Sequence, residues 1–77
     1  MSDWPPFQGE PLDKVFINEL DLDTRVWDVL ISNGYVFVND VVSTTAEQLL
    51  AIRGFGRKSL ENVIDRLDYH GLSLSQD

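Results

Sequence analysis

Cysteine is absent from this sequence and histidine occurs once, which excludes disulfides and leaves no zinc-type ligand set to reinforce a fold. The missing thiols fit a reducing compartment. No run is apolar enough to span a bilayer, and the first residues, Met-Ser-Asp-Trp-Pro-Pro, lack the basic start and apolar stretch of a secretory signal. The expected location is therefore cytoplasmic, with no membrane partner. Basic residues are also scarce, six against thirteen acids for a net charge of −7, and a body of that sign repels nucleic acid at long range. The deficit is uneven: residues 1–40 carry a net −6 and residues 41–77 only −1. A whole-molecule DNA clamp is disfavoured, while a local anion site in the second half is not. There is no Ser-His-acid set, no thiol nucleophile and no carboxylate pair marked out by its setting. The reading is of a non-enzymatic protein with no cofactor, no metal and no small-molecule substrate.

With 77 residues the chain makes one small domain, and a domain of that size buries only about 60% of its unfolded surface. Residues 1–12 hold all three prolines with Gly9, Trp4 and Phe7, which reads as an extended arm. Its aromatics either anchor a partner or lie back on the domain. Residues 13–77 form the domain proper. Val15, Phe16, Ile17, Leu20 and Leu22 alternate with acids in an irregular or short helical lead-in. Asp23 then caps a helix over residues 24–33, with Val26, Trp27, Leu30 and Ile31 on one face and Gly34 as its stop. Residues 35–38 have strand-like composition but no partner strand, so they read as a packed connector to a single helical turn capped by Asn39. Thr44 and Glu47 have capping-box spacing and open a helix through Ile52, with Leu49, Leu50 and Ile52 inward. A last helix, residues 59–69, repeats apolar residues at Leu60, Val63, Ile64 and Leu67 and ends at Gly71. The expected fold is an all-α compact bundle of four short helices plus an irregular N-terminal helical segment.

The most informative stretch is residues 52–60, Ile-Arg-Gly-Phe-Gly-Arg-Lys-Ser-Leu, which carries three of the six bases between two helical segments. Helix, Gly-Phe-Gly turn and helix make a helix-hairpin-helix pattern. Phe55 plugs the core, Gly54 and Gly56 leave backbone amides open to a phosphate, and Arg57, Lys58 and Ser59 add charge and a hydroxyl at a helix N-terminus. The alternative is a purely structural turn with solvated bases. A nucleotide-binding P-loop is excluded, because its preceding strand and glycine spacing are missing.

Arg25, near a helix N-terminus, opposes the macrodipole and is a candidate for a positive task. Asp28, three residues on, is placed to hold it in a surface ion pair instead. His70 suits a helix C-terminus, where a partial positive charge complements the dipole. Glu19, Asp21 and Asp23 are either a docking strip for a basic partner or a solvated face.

Together Glu19-Leu20-Asp21-Leu22, Arg25, Leu30, Asp40, Leu49-Leu50, Gly56-Arg57-Lys58-Ser59-Leu60 and Gly71-Leu72-Ser73-Leu74 resemble the C-terminal domain of the bacterial RNA polymerase alpha subunit, without gaps from about Leu12 to Leu74. The resemblance implies a DNA-binding domain of the transcription machinery that grips the backbone along the minor groove of A/T-rich promoter-upstream duplex and is itself contacted by sigma factor and other transcription regulators. It implies that Arg25 reaches into the minor groove, that Gly56, Lys58 and Ser59 meet phosphates, and that Glu19 and Asp21 face sigma.

Three departures stand out: the family's usual asparagine, a DNA contact, is Asp28 here; the small residue beside it is Val29; and the asparagine usual before the turn is Gly54. A carboxylate donates no hydrogen bond to a phosphate and repels it, a loss of roughly 2–4 kcal/mol on the scale of a charged hydrogen bond. The family domain is tethered to a large assembly domain. This sequence is accordingly either an excised piece or a free-standing copy acting as a small regulator.

Overall fold

The computed structural model describes residues 12–76, so the expected arm with Trp4 and Phe7 lies outside the described residues. Two 3-10 turns, Leu12–Lys14 and Ile17–Leu20, lead into four helices: α1 (Thr24–Ser32), α2 (Val38–Val42), α3 (Ala46–Leu50) and α4 (Arg57–Tyr69). The described residues form no strand. Two isolated bridges, Phe16 with Phe37 and Thr45 with Ser75, are the extent of extended pairing, and the fold is all-α as expected. Among the described residues no helix is long and apolar enough to cross a membrane.

In the lead-in the buried positions are Val15, Ile17 and Leu20. This segment docks on the connector through Ile17 N–H to the Val36 carbonyl at 3.0 Å and Val38 N–H to the Val15 carbonyl at 2.8 Å. Phe16 points outward and stacks on Phe37 with ring centroids 5.0 Å apart. Residues 35–37 are thus a packed connector with one bridge, and Val38 already opens α2. Asp23 occupies the position before α1, as its sequence suggests, but its carboxylate makes no cap bond.

Several boundaries differ from expectation, α1 ending one residue early at Ser32. Asn39 lies inside α2, which starts after Phe37; Phe37 has no side-chain acceptor, so the Asp40 carboxylate reaches back to accept from Phe37 N–H at 3.0 Å and Val36 N–H at 3.2 Å. The capping box of α3 is Thr45 with Gln48. Thr45 Oγ1 accepts from Gln48 N–H at 3.1 Å, and Gln48 Oε1 accepts from Thr45 N–H at 3.2 Å. Thr44 is instead buried and donates its hydroxyl to Gln48 at 2.7 Å. This one-residue shift, with an end at Leu50, leaves Leu49 fully buried and turns Leu50 outward at 41% exposure. Helix α4 begins at Arg57 because Gly56 is its N-cap, and Leu60, Val63 and Leu67 form its buried stripe while Ile64 faces solvent.

The core joins Val26 and Leu30 of α1, Val38 and Val41 of α2, Leu49 of α3, the α4 stripe, Phe55 and the lead-in residues. Each of these residues contributes about 1.5–3 kcal/mol by leaving water. Phe55 is the plug its place between two glycines suggested.

Candidate nucleic-acid interface

The turn between α3 and α4 is closed by Phe55 N–H donating to the Ile52 carbonyl at 3.0 Å. Gly54 takes φ +87, a backbone region that L side chains resist. Gly56 is different: its φ of −105 is open to any residue, and an added Cβ would meet no atom within 4 Å. Neither conformation nor internal packing requires glycine there. As N-cap, Gly56 supplies no side-chain acceptor, so the first-turn amides of α4 keep their outward capacity for an anion.

Helix α1 packs on α4 through contacts that come in opposite order along the two segments. At one end the Asp23 N–H donates to Asn62 Oδ1 at 3.0 Å. At the other, Val29 Cγ2 lies 4.0 Å from where a Gly54 Cβ would be. Arg25 and Val29 are four residues apart and share a stripe of α1, as Lys58 and Asn62 share a stripe of α4. Arg25 and Lys58 each lie within one helical turn of an α1–α4 contact. The two helix starts are thus not side by side: the start of α1 abuts the second turn of α4, and the glycine turn abuts the middle of α1.

Arg25, Arg53, Arg57 and Lys58 are exposed and Ser59 is half-buried. Among the described residues none of these four cations is paired with a protein group, so none is already spent on holding the fold. Arg25 and Asp28 form no ion pair, and both side chains face solvent. Glu19 and Asp21 are exposed as well, Asp21 in the left-handed region at φ 59.

Three supports escaped the sequence reading. Arg66 Nε donates to the Leu20 carbonyl at 2.8 Å and its guanidinium lies 4.9 Å from the centre of the Tyr69 ring. Trp27 Nε1 donates to Asn18 Oδ1 at 2.9 Å. Asn62 holds the start of α1. The three hydrogen bonds join residues 9 to 46 apart, separations that periodicity does not encode; the half-polar position of Arg66 on the α4 stripe was the one available signal. His70 is corrected: it follows Tyr69 as the C-cap but is buried at 4% exposure. Burial first, then the charge of Arg66, lower its pKa from 6.5, with Glu19 opposing. The helix-end position is as expected, but burial and Arg66 both work against the protonated form.

Comparison with known proteins agrees with this architecture. The model of the family described as the C-terminal domain of the bacterial RNA polymerase alpha chain matches residues 8–69. The protein is 37% identical over 73 residues to the DNA-directed RNA polymerase subunit alpha of Desulforamulus reducens, covering 91% of this chain and 23% of that protein. It is also 37% identical over 70 residues to the subunit of the same name from Bacillus velezensis, covering 91% of this chain and 22% of that protein. The chain thus spans under a quarter of the length of these relatives. Matching over most of its residues, it belongs to the family of C-terminal domains of the bacterial RNA polymerase alpha subunit.

Proposed function

We propose that this chain is a non-enzymatic, cytoplasmic transcription module that grips the backbone and minor groove of A/T-rich double-stranded DNA. The gripping surface comprises Arg25, Gly54, Gly56, Arg57, Lys58 and Ser59, with Asp28 set within it. Glu19 and Asp21 form the face that meets sigma factor or another transcription regulator.

The observation that supports the reading is that Arg25 in the first turn of α1 and Arg57 and Lys58 in the first turn of α4 are exposed and, among the described residues, form no ion pair, in a protein whose net charge is −7. A glycine at position 56 that no internal constraint demands supports it, since a missing side chain lets a phosphate approach the amides. Affinity is weak, because the acidic body opposes encounter and Asp28 opposes the phosphates. Titrating isotope-labelled protein with A/T-rich duplex at low salt tests the reading. Shifts at Arg25 and residues 54–59 are expected; their absence overturns it.

A second reading is favoured by one observation, the exposed Asp28 carboxylate that no ion pair with Arg25 neutralises. On this reading the domain has lost DNA binding and docks on proteins alone. Asp28→Asn then creates DNA affinity while leaving protein docking unchanged, and duplex binding by the unmodified protein excludes it.

A further inference from the structure

We propose that His70, Arg66 and Glu19 form a proton-responsive latch between the end of α4 and the lead-in, which frees the Leu20–Asp21 peptide and so reshapes the acidic face when His70 takes up a proton. That this face docks a partner is the reading above; the latch belongs to the free protein and is tested there.

The latch closes on one peptide unit. Arg66 Nε donates to the Leu20 carbonyl at 2.8 Å, and the N–H of the same peptide, that of Asp21, donates to the Asn18 carbonyl at 3.2 Å. Held at both ends, the peptide keeps Asp21 in the left-handed region at φ 59 and ψ 45, a conformation that an L residue resists. With the Arg66 bond gone, rotation of the peptide relaxes Asp21 and redirects its carboxylate. The lead-in itself stays docked, because the side chains of Ile17 and Leu20 are fully buried and Ile17 N–H donates to the Val36 carbonyl.

His70 lies four residues beyond Arg66, on the same side of α4, and is buried. The charged groups facing it are Arg66 from its own helix and Glu19 from the lead-in, and the Tyr69 ring packs edge-on to it with centroids 5.0 Å apart. A proton on His70 therefore sets a second cation beside the first, where burial weakens solvent screening. One of the two has to give way. The backbone of His70 is fixed by its N–H to the Leu67 carbonyl at 2.9 Å and by Leu72 N–H to the same carbonyl at 2.8 Å. Arg66 has the freedom: it is half-buried, its guanidinium already lies 4.9 Å from the centre of the Tyr69 ring, and that ring is 70% exposed. Sliding outward over the ring keeps the cation–π contact while reaching water. Glu19, whose charge favours the proton, is drawn towards His70 in the same step. Both movements alter the acidic face.

The test follows the free protein by NMR from about pH 8 to about pH 5, reading the His70 ring and the backbone amides together. The Asp21 amide and the Arg66 Nε–H are expected to shift with the His70 midpoint, which lies below 6.5, while the amides of buried Leu30 and Leu49 hold still. Arg66→Met, which keeps the apolar stem, is expected to raise the His70 midpoint and to abolish the coupled shift at Asp21. His70→Gln is expected to leave Asp21 unchanged across the same range. An Asp21 amide that stays put while His70 titrates overturns the proposal, as does a His70 midpoint indifferent to Arg66→Met. Loss of the Leu30 and Leu49 signals at the same midpoint also overturns it, since acid then unfolds the whole domain. A latch that passes these tests stands even if no partner docks on Glu19 and Asp21, in which case only the docking reading falls.

Discussion

Gly54 and Val29 face one another: a methyl group placed on the glycine would sit 4.0 Å from the valine Cγ2. The glycine turn therefore runs beside the middle of α1, the helix that carries Arg25.

Gly54 is expected to be the turn's least replaceable residue for folding. Gly54→Ala has space for its methyl, yet it must hold φ +87, which costs about 1–2 kcal/mol for an L residue. Urea unfolding is expected to show a lowered midpoint at an unchanged m-value.

Gly56 separates binding from stability. Gly56→Asp supplies the acceptor that α4's N-cap lacks and a favourable charge at the helix start, together worth about 0.5–1 kcal/mol of added stability. The same carboxylate repels a phosphate from the amides. Thermal unfolding is expected to shift upward while duplex binding is lost; a variant that binds as before removes Gly56 from the surface.

Arg66 fastens the lead-in. Arg66→Ala strands the carbonyl of fully buried Leu20, and loss of a partner at a part-buried acceptor costs about 1–3 kcal/mol. Hydrogen exchange is expected to quicken across residues 17–21 ahead of the rest of the chain.

His70 makes stability depend on pH in a defined direction. Its folded pKa lies below the 6.5 of the free side chain, through burial and then Arg66, so between those values the unfolded chain binds more protons than the folded one. The stabilisation is present above about pH 6.5 and is lost as pH falls through the folded value. Urea unfolding at successive pH values below 6.5 is expected to show falling stability, and His70→Gln is expected to flatten that part of the profile.

Much of this was legible in the residues themselves. The α1 boundaries, the Phe55 plug and the stripe of Leu60, Val63 and Leu67 follow from period and punctuation, which are local. The misplaced caps at Asn39 and Thr44 arose where two polar residues compete within one turn; burial decided for Thr45, and the reach of Asp40 decided for Phe37. Asn62, Asn18 and Arg66 were illegible because their partners lie elsewhere in the chain. The burial of His70 was hidden as well, since a helix-end histidine reads as solvated from its local sequence. The candidate residues were visible one by one, but the crossing geometry, with Asp23 at the start of α1 bonded to Asn62 in the second turn of α4, was not.

A salt series of duplex affinity for the unmodified protein, Arg25→Ala and Asp28→Asn weighs the proposed surface as a whole. If Arg25 and the glycine turn act as one cationic patch restrained by Asp28, log affinity falls linearly with log salt at a slope of about −0.9 per phosphate contacted. Arg25→Ala then lowers affinity and flattens the slope. Asp28→Asn raises affinity by about thirtyfold or more, the lower end of the roughly 2–4 kcal/mol assigned to that exchange. Three variants that bind alike, or bind without regard to salt, would show that the patch holds no nucleic acid.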